Sequence, residues 1–515
     1  VVKSGSEEDR DALIEWSRHE GTSLEHFHIR SMAVRFYADR DQVEETLAWI
    51  EDPGVHNTTG STKTRIILTP PAYKSLGSFA ARNGLEEWAE QLFQDLAEQK
   101  PSVRYWQVLV AAQLWLSGGL RGAEAMMSNM MGPDEEVVKP QLGFFNKMLE
   151  VAVQKGDEML ANEITSMAAD RHIAPDSFTF MLWMQLKVAV GNFEGARFAF
   201  ERIRTLSTDD QLLPGKATRV DFEITLNKFL SFICTQKRPN FAYISEILEE
   251  VDELQLRLDP DTVAQLSLRF LENEQYLDVM DILAIHVFKF GEAERQVVQS
   301  AFASFCLNPN TSTARAWSAY QILEQYFPDL ERADRVILME EFFRRKRSDM
   351  AIKTFGAMRN HRSPAYRPNE SMYRQCFEGL ARNPDLESTQ QAHNWLKTDS
   401  SMEPSTRLFT ALMLAFTACG RSLTALDFWK EVTTCKEGPG YSTLAAVFWA
   451  LEKRPNGAKM AREVWDRIEN MDVDVPPDVY NAYVGAMASS GQLLELQRII
   501  VNMSSFVGSE PSALT

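Results

Sequence analysis

A chain of 515 residues can hold several globular domains or one long array of small units, and a hydrophobic content of 44% excludes general disorder. The net charge of −18 at pH 7 argues against a polynucleotide as the main ligand, because a phosphate backbone is gripped through Lys and Arg with release of counterions. The five cysteines are scattered, odd in number and free of Cys-x-x-Cys pairing, which reads as reduced, mostly buried thiols. No apolar run reaches the ~18–20 residues that cross a bilayer.

Residues 1–60 are acidic, with apolar positions at helical spacing around Leu13, Trp16, Phe36 and Trp49. Residues 28–52 read as a degenerate first repeat, whose more polar face would cap an array, and 57–63 as a loop. The chain starts at Val1, so any targeting peptide is missing from it.

Residues 61–205 carry a clear repeat. Pro140, Phe145, Gly156 and Ala161 recur 35 residues later as Pro175, Phe180, Gly191 and Ala196. Proline ends one unit and opens the next, since it cannot continue a helix. The aromatic anchors a first helix, glycine supplies the left-handed turn after it, and alanine on a second helix lets two backbones approach. Tyr73, Gly84 and Ala89 fit the same spacing, and the unit at Tyr105 carries Gly118-Gly119, predicting a turn one residue longer. Residues 207–216 are polar, contain Pro214-Gly215, and read as a linker.

Residues 206–340 are a divergent stretch in which the aromatic–glycine rule fails. Helical stripes at Leu226, Phe229, Leu230 and Ile233 and at Ile244, Ile247, Leu248 and Val251 still predict helical repeats. From 341 to 503 the rhythm returns, with Pro368, Pro404, Pro439 and Pro477 spaced 36, 35 and 38 residues apart and two further hits at Phe409/Gly420/Ala425 and Tyr480/Gly491/Leu496. Residues 504–515 read as a tail.

A fixed period in this range is the signature of a solenoid of supersecondary units. The segments PDSFTFMLWMQLKVAVGNFEGARFAFERI and PDVYNAYVGAMASSGQLLELQRIIVNM resemble pentatricopeptide repeats, with Pro-Asp opening each unit, Tyr or Phe in the first helix and glycine after it. The resemblance implies an all-α, right-handed superhelical α-solenoid of helical hairpins. It also implies a mitochondrial or plastid location and, for most of the family, single-stranded RNA as ligand. One base is read per repeat, by the residue after the first-helix aromatic and one at the repeat boundary. Carried onto this chain, the reading positions are Asn146 with Asp176, Thr410 and Asn481. Lys74 and Met181 occupy the same position with unsuitable chemistry.

A minority of pentatricopeptide-type proteins act on proteins instead. The acidic charge and Met181 favour that class: a mitochondrial scaffold or chaperone, on the matrix side or peripheral to the inner membrane, that holds protein partners in an assembly intermediate such as that of respiratory complex I. A mitochondrial RNA-binding factor is the alternative.

No phosphate loop, nucleophile elbow or His-Glu-x-x-His is present, and His26 and His28, two apart, face different sides of a helix. No enzyme activity, metal or cofactor is expected. The local case for an anionic ligand is Arg344-Arg345-Lys346-Arg347, continuing through Arg359, Arg362, Arg367 and Arg374 with Tyr366, Tyr373 and Phe377 interleaved. The RNA reading requires these and the reading positions to line one concave face. The scaffold reading predicts an acidic or apolar groove.

Overall fold

The computed structural model describes residues 27–51, 68–131, 137–206, 216–470, 474–489, 491 and 493–508. The expected loop at 57–63, His26, the linker at 207–215 and the tail beyond 508 lie outside them. The described residues are helical, apart from turns and one isolated bridge between Met131 and Val137. The all-α hairpin array is therefore what forms. The chain divides into two units, 1–262 and 263–515.

In the first unit the helices pair in chain order: α1 (Phe27–Ala38) with α2 (Val43–Glu51), α3 (Pro70–Asn83) with α4 (Glu86–Glu98), α5 (Val103–Gln113) with α6 (Gly119–Ser128), α7 (Leu142–Lys155) with α8 (Glu158–Asp170), α9 (Ser177–Ala189) with α10 (Phe193–Leu206), and α11 (Lys216–Thr235) with α12 (Phe241–Glu253). The division between units falls within α13 (Pro260–Glu272), which α14 (Tyr276–His286) follows. The second unit continues with α15 (Glu292–Leu307) and α16 (Thr313–Tyr326), α17 (Arg332–Arg344) and α18 (Ser348–Arg359), α19 (Glu370–Arg382) and α20 (Leu386–Lys397), α21 (Thr406–Ala418) and α22 (Ser422–Thr434), α23 (Tyr441–Glu452) and α24 (Gly457–Glu469), and α25 (Pro477–Ala488) and α26 (Leu493–Val501), with a short α27 (Met503–Val507).

The repeat residues do what their chemistry dictates. Pro175, Pro368 and Pro404 sit just before the helix caps Asp176, Asn369 and Ser405, whose side chains accept from the backbone N–H groups of Thr179, Met372 and Leu408. Such a cap is worth ~1 kcal/mol. All five expected hairpin glycines, Gly84, Gly156, Gly191, Gly420 and Gly491, have φ between +66° and +76°. Ala89, Ala161, Ala196 and Ala425 are fully buried, as are Tyr73, Phe145 and Tyr480, whereas Phe180 and Phe409 are half-buried.

Two local differences have physical causes. The turn after α5 runs over 114–118, three residues longer than the two-residue turn at 84–85, because Gly119, not Gly118, takes the left-handed position. The buried anchor of α5 is Trp106, whose indole N–H donates to the Met131 carbonyl at 2.9 Å, and Tyr105 lies beside it. In the divergent stretch the helical stripes hold and their side chains are buried. There the glycine rule fails after α13 because Glu274 takes the left-handed turn at φ +64°, and just beyond the stretch, after α17, Lys346 does the same at φ +59°.

Packing is layered within each unit. Each first helix lies against the next first helix: α1, α3, α5, α7, α9 and α11 in one unit, and α15, α17, α19, α21, α23 and α25 in the other. Aromatic contacts tie hairpins together, as where Tyr73 meets Phe93 and Tyr105 edge-on and Trp465 stacks on Tyr483 at 4.5 Å. Arg335 is fully buried yet satisfied, donating to Glu324 and to the carbonyls of Leu330 and Pro328. All five cysteines are unpaired, Cys306 and Cys376 being buried and the other three half-buried.

Candidate docking groove

In a helical array the first helices present the side chains that a ligand would meet, so the reading positions come first. Asn146 on α7 is 7% exposed; its amide accepts from the Thr179 hydroxyl at 2.8 Å and donates to Asp176 at 3.4 Å. Asp176 is occupied as the cap of α9. Thr410 on α21 is 6% exposed and shares a 2.7 Å hydrogen bond with Thr443 on α23. Met181 is buried on α9, and Asn481 on α25 is half-buried. The polar groups at 146 and 410 thus bond one first helix to the next. Asn146 and Asp176 are brought together, with Thr179 as a third member that the sequence did not single out.

The arginine-rich stretch is distributed over the end of α17, a turn, α18 and α19. Arg344 makes two 2.6 Å bonds to Glu341. Arg345 is buried against the same carboxylate, Lys346 forms the left-handed turn, and Arg347 pairs with Asp349 at 2.7 Å. Arg359 donates to Thr398 at 2.8 Å, Arg367 to the His361 carbonyl at 2.9 Å, and Arg374 pairs with Glu378 at 3.0 Å. Arg362 is exposed. Tyr373 and Phe377 are fully buried, which removes them as stacking platforms, and Tyr366 is half-buried beside His361. Glu341 is the carboxylate that the sequence reading passed over. Burial alone would raise its pKa, but the hydrogen bonds from Arg344 and Arg345 outweigh that and hold it below the usual carboxylate range.

A wide concavity lies elsewhere. An open groove of 1210 Å³ runs over α1, α3, α5 and α7, lined solely by first helices and the turns at their ends. One or two cations project from each helix: Arg35, Lys74 and Arg82, Arg104, and Lys147. Arg35 pairs with Asp39 at 3.6 Å and Arg82 with Asp41 at 2.8 Å. Glu150 on α7, 13% exposed, takes both Lys147 at 2.5 Å and Lys74 at 2.6 Å, the latter reaching past α5. Gly143 leaves room for Gln107 at the groove floor, since a Cβ there would stand 2.5 Å from the Gln107 amide nitrogen. This groove is basic, where an acidic or apolar one was expected. The total charge misleads because it averages over the whole chain, whereas these cations are gathered on one row of first helices.

A second hollow of 520 Å³, in the other unit, is mainly apolar, formed by Trp429, Tyr441, Leu444, Val464 and Ile468 with Glu437 and Arg467 at hand. No group of His, Cys, Asp and Glu suited to a metal ion occurs among the described residues, and no helix among them is long and apolar enough to cross a membrane.

No family model matches the chain. It is 34% identical over 473 residues to "Complex I intermediate-associated protein 84, mitochondrial" of Neurospora crassa, a match that takes in 87% of this chain and 56% of the relative. The chain thus spans little more than half of that protein's length. Among solved structures it is similar to the pentatricopeptide repeat protein PPR10 from maize, at a TM-score of 0.34 and 14% identity over 99% of this chain and 78% of that one. PPR10 in complex with an 18-nucleotide psaJ RNA element gives a TM-score of 0.31 and 14% identity, over 97% and 88%. By sequence the chain is similar to the Neurospora protein, and its hairpins, left-handed glycine turns and 35-residue spacing make it an all-helical repeat array.

Proposed function

We propose that this chain is a non-enzymatic mitochondrial scaffold, on the matrix side or peripheral to the inner membrane, that holds a protein partner during assembly of respiratory complex I. The observation that carries the reading is the closure of the reading positions. Asn146 and Thr410 spend their hydrogen bonds on the neighbouring first helix, and Met181 offers none. Base-by-base readout needs those groups free. The name of the Neurospora relative supplies the assembly in question.

A second reading, single-stranded RNA, is favoured by the basic groove over α1–α7 and by the Asn146–Asp176 pairing. Affinity purification from mitochondria, with and without RNase, separates the two. The scaffold reading expects complex I subunits in stoichiometric amounts whether or not RNA is digested. Recovery of a defined transcript without such subunits would overturn it.

A further inference from the structure

Within the groove over α1, α3, α5 and α7 the charges do not cancel. Five cations, Arg35, Lys74, Arg82, Arg104 and Lys147, face three carboxylates, Asp39, Asp41 and Glu150, a balance of +2 in a chain whose total is −18. Four of the five cations are engaged by those carboxylates. Arg104, exposed at the start of α5, has no carboxylate within ion-pair distance among the described residues.

We infer that this groove is the docking site for an acidic polypeptide segment, a run rich in Asp and Glu on the protein partner. The inference rests on the scaffold reading and names the chemistry of what the scaffold holds. Arg104 offers five donors in a planar fork that matches a carboxylate. Incoming carboxylates can also exchange with Asp39 and Glu150 for Arg35 and Lys74 at little net cost, since one ion pair replaces another. Gln107 and Ser78 line the groove between the cations and can hydrogen-bond an extended backbone.

RNA suits the same groove less well. No aromatic side chain lines it, so bases find no platform for stacking. The three interleaved carboxylates repel a continuous phosphate chain, whereas the side chains of a peptide can be spaced to avoid them.

The test uses the full chain with labelled Glu-rich and Lys-rich peptides of equal length and an RNA oligomer of the same length, followed by fluorescence anisotropy at low and high salt. The Glu-rich peptide binds, and salt weakens it. Combining Arg35→Glu with Arg104→Glu turns the groove from +2 to −2 and weakens that binding by at least about tenfold. Circular dichroism shows unchanged helicity, and Arg35→Lys with Arg104→Lys restores most of the affinity. No binding of the acidic peptide by the native chain, equal binding by the reversed variant, or tighter binding of the RNA overturns the inference. Purification of native and reversed chains from mitochondria tells its failure from that of the scaffold reading. If only the groove assignment is wrong, both chains still bring down complex I subunits; if the scaffold reading is wrong, neither does.

Discussion

The Arg345 guanidinium stands 2.6 Å from the Glu341 carboxylate, with both side chains under 10% exposed, at 8% and 9%. Arg345 also donates to the carbonyls of Cys306, Asn308 and Thr311, so one charge pair staples the α15–α16 turn to the end of α17. Glu341→Gln leaves a buried guanidinium without its counter-charge and is expected to cost ~3 kcal/mol, read as a lower denaturant midpoint with an unchanged slope. The pH sign follows from the lowered Glu341 pKa. The pair's contribution is complete above the carboxylate's unfolded value and is lost as pH falls through the lower folded value, so the native chain loses stability at the acid end that the Gln variant has already lost.

His393 gives a second, distinct pH response. It lies edge-on to Phe416 and Phe428, at 5.4 and 5.1 Å between ring centroids. Burial first, and Lys397 second, push its pKa from 6.5 down to about 4. The unfolded chain therefore binds a proton between these values that the folded chain refuses, and stability falls as pH drops from 6.5 toward 4. His393→Leu keeps an apolar side chain against Phe416 and Phe428, removes the titrating ring and flattens that part of the profile, which equilibrium unfolding at stepped pH would check. A native His393 that titrates near 6.5 by NMR would contradict it.

Glycine divides into two kinds with different expected costs. A Cβ at Gly379 on α19 would sit within 2.9 Å of three ring atoms of Phe343, and one at Gly356 on α18 would stand 2.8 Å from the Trp395 ring. Gly379→Ala should therefore cost ~1–3 kcal/mol through overpacking. At Gly84 a Cβ meets nothing, and the cost of Gly84→Ala is the left-handed φ alone, ~1 kcal/mol. Lys346→Gly works in the opposite direction, relieving a left-handed lysine, and should leave stability equal or raise it by less than ~1 kcal/mol. Thermal melts of the three variants order them.

Thr410→Val tests whether the reading position serves the fold. Removing its hydroxyl strands that of Thr443, which is fully buried, and should cost ~1–2 kcal/mol. RNA affinity should not change. A variant of native stability with altered RNA affinity would reverse the assignment.

Much of this architecture could be read along the chain because glycine, proline and a small second-helix residue each meet a demand made once per hairpin. Where Glu274 and Lys346 take the left-handed turn, that signal vanishes although the turn itself remains. The arginines from 344 to 374 are neighbours in sequence but are drawn to separate local partners, and a carboxylate just before the run, Glu341, gathers two of them, Arg344 and Arg345. The groove cations are the reverse case. Arg35, Lys74, Arg104 and Lys147 are far apart in sequence and converge only because successive first helices lie side by side. Each of these hairpins supplies one or two cations to a common face, and a search for contiguous basic runs passes over them.

The contact between Lys74 and Glu150 skips the helix between them and so joins the first helices of two hairpins that are not neighbours in the row. Because α3 and α7 each pack on α5 between them, helix packing sets their spacing, and the ion pair adds to it one direct tie that salt can screen.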